Sequence, residues 1–338
     1  MSIQNISFLG AGSIAEAIIG GLLHANVVKG EQITVSNRSN ETRLQELHKK
    51  YGVKGTHNKK ELLTDANILF LAMKPKDVAE ALTPFKEYIN NNVLIISLLA
   101  GVSTHSIRKL LQKDVPIIRA MPNTSAAILK SATAISPSKH ATAEHIRTAT
   151  SLFETIGLVS VVEEDDMHAV TALSGSGPAY IYYVVEAMEE AAKKIGLKED
   201  VAKSLILQTM IGAAEMLKAS DKHPSILRKE ITSPGGTTEA GIEVLQEHEF
   251  QQGKLGLNTH VGNSGDQLSG GQIKRLALAR LLYREPEVIL LDDLTSGLDV
   301  VTEQRIMENL KTLKNKIIII ASNSVQLNQY ADKVISID

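Results

Sequence analysis

Ser7-Phe8-Leu9-Gly10-Ala11-Gly12-Ser13-Ile14-Ala15 decides the fold. The apolar segment Ile6–Leu9 predicts a strand. It runs directly into Gly-x-Gly-x-x-Ala, and a helical pattern opens at Ser13–Ala17. Strand, glycine turn and helix in that order are what dinucleotide binding needs. Gly10 permits the tight turn, and Gly12 lets the backbone approach a pyrophosphate. Ala15 is small enough for the helix to lie close to the strand, and the helix N-terminus offers N–H groups to the phosphate. Glycine turns between strand and helix are common, and a bare tight turn is the alternative. The N-terminal placement, with βαβ periodicity behind it, favours the dinucleotide site.

Beyond the turn, Ile14–Ala25 carries a helical apolar stripe and Gln32–Ser36 predicts the second strand. In NAD sites an acidic residue commonly ends that strand and takes the ribose hydroxyls. Here Asn37-Arg38-Ser39 stands in its place, 22 residues after Ala15. Arginine and hydroxyl groups pair with a second phosphate, which an acid would repel, so the cofactor is expected to be NADP, with NAD as the alternative. A solvated helix start is the plainer account of Arg38. Strands are predicted at Ile68–Leu71 and Val93–Ser97, with helices at Arg43–Tyr51 and Asp77–Tyr88. Ile135 and Leu158–Val162 supply further strands, and Ala141–Ile156 the last helix. Such alternation predicts an α/β fold with a parallel sheet and helices on both faces. Ligands in such sheets sit at the carboxyl ends of the strands. Those ends are Ala72-Met73-Lys74-Pro75, Ser97–Gly101 and Arg119–Thr124, where Lys74 faces either a phosphate or ribose or only solvent.

From Asp165 strand signals vanish. Leu173-Ser174-Gly175-Ser176-Gly177-Pro178-Ala179-Tyr180 opens a long helix to Lys194, with Ser176 as N-cap and Pro178 in the first turn. A second long helix is predicted over Glu199–Ala219. Two such apolar helices form a bundle or a dimer interface. Tyr180, Tyr182 and Tyr183 are expected to pack in its core. Next, Thr232-Ser233-Pro234-Gly235-Gly236-Thr237-Thr238 enters a helix predicted at Glu239–Glu249. Two glycines, hydroxyls and a helix N-terminus make a nest for a carboxylate, with a capped turn as the alternative.

Composition bounds the rest. The 338 residues suffice for two or three domains, and the net charge of −2 gives no reason to expect nucleic acid or an anionic membrane. There is no cysteine, so disulfides and thiolate chemistry are excluded. The ten histidines show no metal-ligand spacing, and no metal is expected. No segment has the form of a signal peptide or reaches the ~18–20 apolar residues of a membrane helix. A cytoplasmic address and no membrane insertion are expected.

Together the glycine turn, Met73-Lys74-Pro75, Ser97–Gly101, Met121-Pro122-Asn123-Thr124, Ser174–Tyr180 and Ser233–Thr238 resemble pyrroline-5-carboxylate reductase over residues 1–252. The resemblance implies a Rossmann-type doubly wound domain over 1–163 and an all-α substrate and dimerisation domain over 164–252. It implies reduction of 1-pyrroline-5-carboxylate to proline with NADPH or NADH, by a homodimer or higher homo-oligomer. Gly10, Gly12, Ser13 and Ile14 would hold the pyrophosphate, and Asn37, Arg38 and Ser39 the adenosine phosphate. Asn58, Ala72, Lys74 and Pro75 would lie along the cofactor. Ser176, Ser233, Gly235, Gly236, Thr237 and Thr238 would bind substrate, with Thr238 as the catalytic hydroxyl nearest the ring nitrogen.

Past Gln252 the character changes. Ser269-Gly270-Gly271-Gln272, then Val288–Leu291 with Asp292-Asp293, then Thr295–Asp299 resemble the signature motif, Walker B strand and D-loop of an ABC-type ATPase over 253–338. The resemblance is to an incomplete, degenerate α/β fragment. The chain holds no Gly-x-x-x-x-Gly-Lys-[Ser/Thr] loop, Asp293 stands where glutamate is usual, and Ser322 where the switch histidine belongs. ATP hydrolysis is not expected. Val288–Leu291, Ile317–Ile320 and Val334–Ile337 are predicted to be buried parallel strands. Gly253-Lys254-Leu255-Gly256 replaces a further apolar helix that the reductase resemblance calls for. The chain therefore has the form of a fusion with its junction near Gln252. An inactive hybrid, or an ABC-derived module lending its signature motif to a partner ATPase, are the alternatives to an active reductase.

Overall fold

The computed structural model describes residues 5–247, 288–292, 300–311, 313, 316–322 and 325–335. The chain divides into two units, Met1–Thr259 and His260–Asp338. In the first, eight strands form one sheet: β1 (Ile6–Leu9), β2 (Ile33–Ser36), β3 (Lys54–Thr56), β4 (Ile68–Leu71), β5 (Leu94–Ser97), β6 (Ile117–Met121), β7 (Ser131–Pro137) and β8 (Gly157–Val161). Their spatial order is β3-β2-β1-β4-β5-β6-β7-β8. The first six run parallel in a doubly wound order whose direction of winding reverses between β1 and β4. The expectation of a wholly parallel sheet needs one correction, because β7 is antiparallel to β6. Only residues 122–130 join the two strands, too short a link for the crossover that a parallel pair requires.

Both faces of the sheet are covered, which is why its strands are almost continuously apolar. Side chains alternate between two cores. Ile6, Phe8, Phe70 and Ile96 face α1 (Ser13–His24), α2 (Glu41–Tyr51) and later α6 (Ala143–Glu154). Leu9, Leu69, Leu71 and Ile95 face the opposite layer, which holds α3 (Lys59–Leu63), α4 (Val78–Leu82) and α5 (Thr104–Leu111). Phe8 stacks on Phe70 at 4.5 Å, and Phe153 meets Phe70 edge-on at 6.1 Å, fixing α6 over the sheet centre. The single helix predicted over Asp77–Tyr88 is broken into 3₁₀ Pro75–Asp77, α4 and 3₁₀ Thr83–Lys86. Pro84 lacks an N–H and obstructs the preceding turn, so the α-helix stops at Leu82.

The helical part of this unit starts with α7 (Met167–Val170), a π-helical turn (Thr171–Gly175) and α8 (Gly177–Lys194). It continues with α9 (Glu199–Ala219), α10 (Pro224–Glu230) and α11 (Thr237–Glu247). Helix α11 therefore begins two residues earlier than the predicted helix. Ala192, Ala202 and Ile206 are buried between α8 and α9. The tyrosines are not core residues: Tyr182 is 59% and Tyr183 73% exposed within one chain. Leu205, Ile211 and Met216 on α9 are exposed too. Among the described residues no helix is long and apolar enough to cross a membrane.

In the second unit β9 (Val288–Asp292) pairs in parallel with β10 (Ile317–Ala321), and α12 (Val300–Lys311) lies between them in sequence. Ile289 and Leu291 are buried with Met307, Leu310 and Leu327, whereas Leu290 and Ile319 are exposed. The predicted strand at Val334–Ile337 is not found at Val334 and Ile335, which have no strand structure. The rest of that segment lies outside the described residues.

Candidate functional site

The reversal point between β1 and β4 is where the glycine turn sits. Gly10 has φ of +122°, a conformation that only glycine adopts readily, and a Cβ there would lie 2.4 Å from the Ala72 carbonyl oxygen. The β1 and β4 loops therefore touch backbone to backbone. The contact is bounded by the Gly10 N–H on Ser36 O (2.8 Å) and the Ala72 N–H on Leu9 O (2.9 Å). Gly12 is different. Among the described residues a Cβ there would meet nothing within 4 Å, and Gly12 caps α1 without a side-chain hydrogen bond. Ser13 is exposed beside it and Ile14 is half-buried. An uncapped helix N-terminus beside open space fits a diphosphate, and these same residues would hold the pyrophosphate of a dinucleotide.

Around this turn the structure places a charged brace that the sequence did not reveal. Glu16 on α1 accepts hydrogen bonds from Arg43, Lys50 (2.8 Å) and Tyr51 (3.2 Å). Lys50 first, then Arg43, hold its carboxyl down at about 2. Arg43 Nε also donates to the Ala11 carbonyl oxygen at 2.9 Å. Nothing in the local spacing signals this, because 27 residues separate Arg43 from Glu16.

At the carboxyl end of β2, Asn37 and Asn40 exchange hydrogen bonds of 2.8 Å, and Asn40 caps α2 by accepting from the Arg43 N–H. Arg38 is exposed and pairs with Glu80 at 3.2 Å, and Ser39 is exposed next to it. His57 joins this group through Asn37 O (3.0 Å) and Glu41 Oε2 (3.0 Å), and the Asn37 carbonyl, then Glu41, raise its pKa. Asn58 has a structural task, since its Oδ1 caps α3 by accepting from the N–H groups of Lys60 and Glu61. On the other side of the turn Ala72 is half-buried, while Lys74 and Pro75 are exposed at the carboxyl end of β4.

The end of β6 is tied to the π-helical turn. Asn123 Nδ2 donates to Ser174 O at 3.0 Å, and Gly175 packs over Met121, with 3.5 Å from a Cβ position to Met121 Cγ. A π-turn is a frequent mark of a functional site. Ser176 stands at the α8 N-cap but makes no side-chain capping bond there, a correction to its expected local task. The π-turn keeps Ser176 in helical geometry, so its hydroxyl cannot take the position of a cap. Further along the same edge, buried Arg119 pairs with Glu164 at 3.0 Å, and Glu164 also accepts from the Thr104 N–H (2.7 Å) and hydroxyl (2.6 Å). Burial raises the Glu164 pKa, but the Thr104 bonds and Arg119 outweigh it and leave it lowered.

Ser233–Thr238 forms the second glycine turn. Gly235 has φ of +69°, and the Gly236 N–H closes the turn on Ser233 O at 3.0 Å. Thr237 and Thr238 are the first two residues of α11, with Thr238 half-buried. One donor of the nest is already engaged, since the Gly235 N–H donates to Glu239 Oε2 at 2.7 Å. Among the described residues no hydrogen bond joins this loop to the sheet. No group of His, Asp or Glu that could hold a metal is found among them either.

In the second unit Asp292 ends β9 and Ser322 follows β10. Ser269, Gly270, Gly271, Gln272, Asp293 and Asp299 lie outside the described residues.

Residues 164–254 match the pyrroline-5-carboxylate reductase dimerisation family, and residues 5–101 match the NADP oxidoreductase coenzyme F420-dependent family. A Bacillus subtilis protein, pyrroline-5-carboxylate reductase 2, is 51% identical over 74% of this chain and 89% of its own length. The solved pyrroline-5-carboxylate reductase of Coxiella burnetii superposes with a TM-score of 0.71 at 36% identity, covering 79% of this chain and 99% of that one. The Plasmodium falciparum pyrroline carboxylate reductase, solved with NADP bound, gives a TM-score of 0.69 at 27% identity over 76% of this chain and 95% of that one. The α/β sheet and the helical region after it thus agree in fold with these relatives, and the chain belongs to the pyrroline-5-carboxylate reductase family of NAD(P)-dependent oxidoreductases.

Proposed function

We propose that this chain reduces 1-pyrroline-5-carboxylate to L-proline, the last step of proline biosynthesis, with NADPH as the preferred reductant and NADH as the alternative. The observation that carries this is the 51% identity to a reductase of that name, in a chain whose Gly12 turn is open to a diphosphate. NADPH, when bound, supplies a hydride to the imine carbon. Gly12, Ser13 and Ile14 hold its pyrophosphate over the turn that Gly10 shapes, Asn37, Arg38 and Ser39 hold its adenosine phosphate, and Ala72, Lys74 and Pro75 flank it. Asn58 shapes the adenosine end through its cap on α3.

Ser233, Gly235, Gly236 and Thr237 take the substrate carboxylate, and Ser176 lies on the substrate side. Thr238 orients the ring nitrogen. An imine that binds already protonated needs no strong acid, so placement supplies most of the rate gain. The exposed apolar surface of α8 and α9 supports a homo-oligomer in which a second copy completes the cleft between the two glycine turns. A cytoplasmic setting suits this chemistry.

We read 253–338 as a degenerate ABC-ATPase-like fragment without its own catalysis. The parallel pairing of β9 with β10, with α12 between them in sequence, supports that reading. Full-length protein mixed with the cyclic imine and NADPH is expected to oxidise the cofactor and release proline. Absence of imine-dependent oxidation overturns the assignment and favours the inactive hybrid. ATP is expected to remain unhydrolysed under the same conditions.

A further inference from the structure

We propose that Arg43 is a positioning residue for the cofactor: by holding the Ala11 carbonyl it aims the Gly12 N–H into the cleft where the pyrophosphate sits. The geometry is backbone geometry. Arg43 Nε donates to Ala11 O at 2.9 Å, and the chain contains no cis peptide among its described residues. Across a trans peptide the C=O of one residue and the N–H of the next point in opposite directions. Fixing the Ala11 carbonyl toward α2 therefore turns the Gly12 N–H away from α2. That N–H has no protein acceptor among the described residues, and the space beside Gly12 is open.

Arg43 is itself held at both ends. Its backbone N–H donates to Asn40 Oδ1 at 2.9 Å, and Asn40 is locked to Asn37 by the paired 2.8 Å bonds. The side chain thus connects the loop at the adenosine phosphate with the turn at the pyrophosphate. Its charge is answered by Glu16 and by Glu46 at 3.3 Å, so its action on a phosphate runs through Ala11 and not through direct attraction. A lysine keeps the charge and can keep the ion pair with Glu16, but its primary ammonium has no fixed donor at the Nε position.

The test measures NADPH binding by fluorescence titration on full-length wild type, R43K, R43A and E16Q, with thermal melts of each and imine kinetics. R43K and R43A are expected to bind NADPH about tenfold more weakly, as loss of an oriented donor to a charged group predicts. The KM for NADPH should rise, with kcat at saturating NADPH and the KM for the imine within about twofold of wild type. E16Q, whose amide oxygen still accepts from Arg43, is expected to melt earlier yet bind NADPH within about twofold of wild type. NADPH binding by R43K equal to wild type overturns the proposal, as does an E16Q defect in binding equal to that of R43A, because both mark a bracing role only. If R43A does not fold, R43K and E16Q decide. Wild type that binds no NADPH refutes the cofactor assignment itself, a separate result.

Discussion

Gly10 and Ala72 meet backbone against backbone, with the Ala72 carbonyl oxygen only 2.4 Å from where a Gly10 side chain would begin. Gly12, two residues on, has no such neighbour among the described residues. The two glycines of one motif therefore meet different constraints: Gly10 is enclosed by the fold, whereas Gly12 borders open space. G10A is expected to destabilise the protein by about 2–5 kcal/mol, from the strained φ and the forced separation of β1 and β4. G12A is expected to melt within a few degrees of wild type and to lose NADPH binding, because its methyl fills space that only a phosphate needs. Thermal melts with and without NADPH check both. A G12A variant that still binds NADPH tightly would contradict the placement of the diphosphate.

Glu16 predicts a pH dependence. Its carboxyl titrates at about 2 in the folded chain, against 4.5 for the ordinary group, because Lys50 and Arg43 hydrogen-bond to the charged form. A lowered folded pKa means that the unfolded chain binds the proton first as pH falls. The stabilisation is therefore complete above about 4.5 and disappears progressively down to about 2. Partial exposure of the site limits it to about 1–2 kcal/mol. Unfolding free energies of wild type and E16Q should differ by that amount at neutral pH and converge near pH 2. A constant difference across the range would refute the linkage.

How far these features were legible in the sequence follows from the range of the interactions. Ile6–Leu9 and the glycines after it announce themselves locally, because strand, turn and helix are each set by neighbouring residues. Glu199–Ala219 is equally plain from its periodicity. Lys54–Thr56 was invisible: β3 is a three-residue edge strand whose Gly55 carries no pattern. The reversal of β7 follows from a short linker, which residue types alone do not weigh. The Arg43–Glu16 and Arg119–Glu164 pairs stayed hidden because their members are 27 and 45 residues apart. The tyrosines of α8 misled for another reason: an apolar helix face has the same pattern whether its partner is in the chain or in a second copy.

Arg38 should separate the two nicotinamide cofactors. Its guanidinium is exposed and, among the described residues, meets only Glu80, at 3.2 Å. Such an exposed pair contributes little, so a phosphate can displace the carboxylate. R38A is expected to raise the KM for NADPH about tenfold, the scale of one charged hydrogen bond, with little change for NADH. E80Q, which frees the arginine, should lower the KM for NADPH by about twofold, an effect that salt reduces. Equal losses for both cofactors in R38A would place the adenosine phosphate elsewhere.

Thr238 stands at the second position of α11, half-buried above the Gly235-Gly236 turn. If its hydroxyl orients a substrate that arrives protonated, its removal costs far less than loss of a true general acid, which typically costs 10²–10⁴-fold. T238A is expected to lower kcat by roughly tenfold or less, with a modest rise in the KM for the imine. T238S should restore most of the loss, since it keeps the oxygen. Complete loss of turnover with unchanged substrate affinity would make the hydroxyl an obligatory proton donor and refute the placement argument.

The surface of α8 and α9 predicts the assembly. Within one chain these helices bury Ala192, Ala202 and Ile206 against each other with Val185 and Met188 alongside, leaving Tyr183 at 73%, Leu205 at 57% and Ile211 at 56% exposed. So many large apolar side chains exposed on two packed helices point to a protein–protein interface, and residues 164–254 match a dimerisation family. Placing a charge in a buried interface costs several kcal/mol, enough to dissociate a dimer at micromolar concentration. L205E and I211E are therefore expected to shift the mass in light scattering to that of one chain, while circular dichroism keeps the helix content. Activity should fall with the oligomer, because the second glycine turn has no hydrogen-bonded tie to the sheet of its own chain among the described residues. Full activity in a monomeric variant would show that one chain closes the cleft alone.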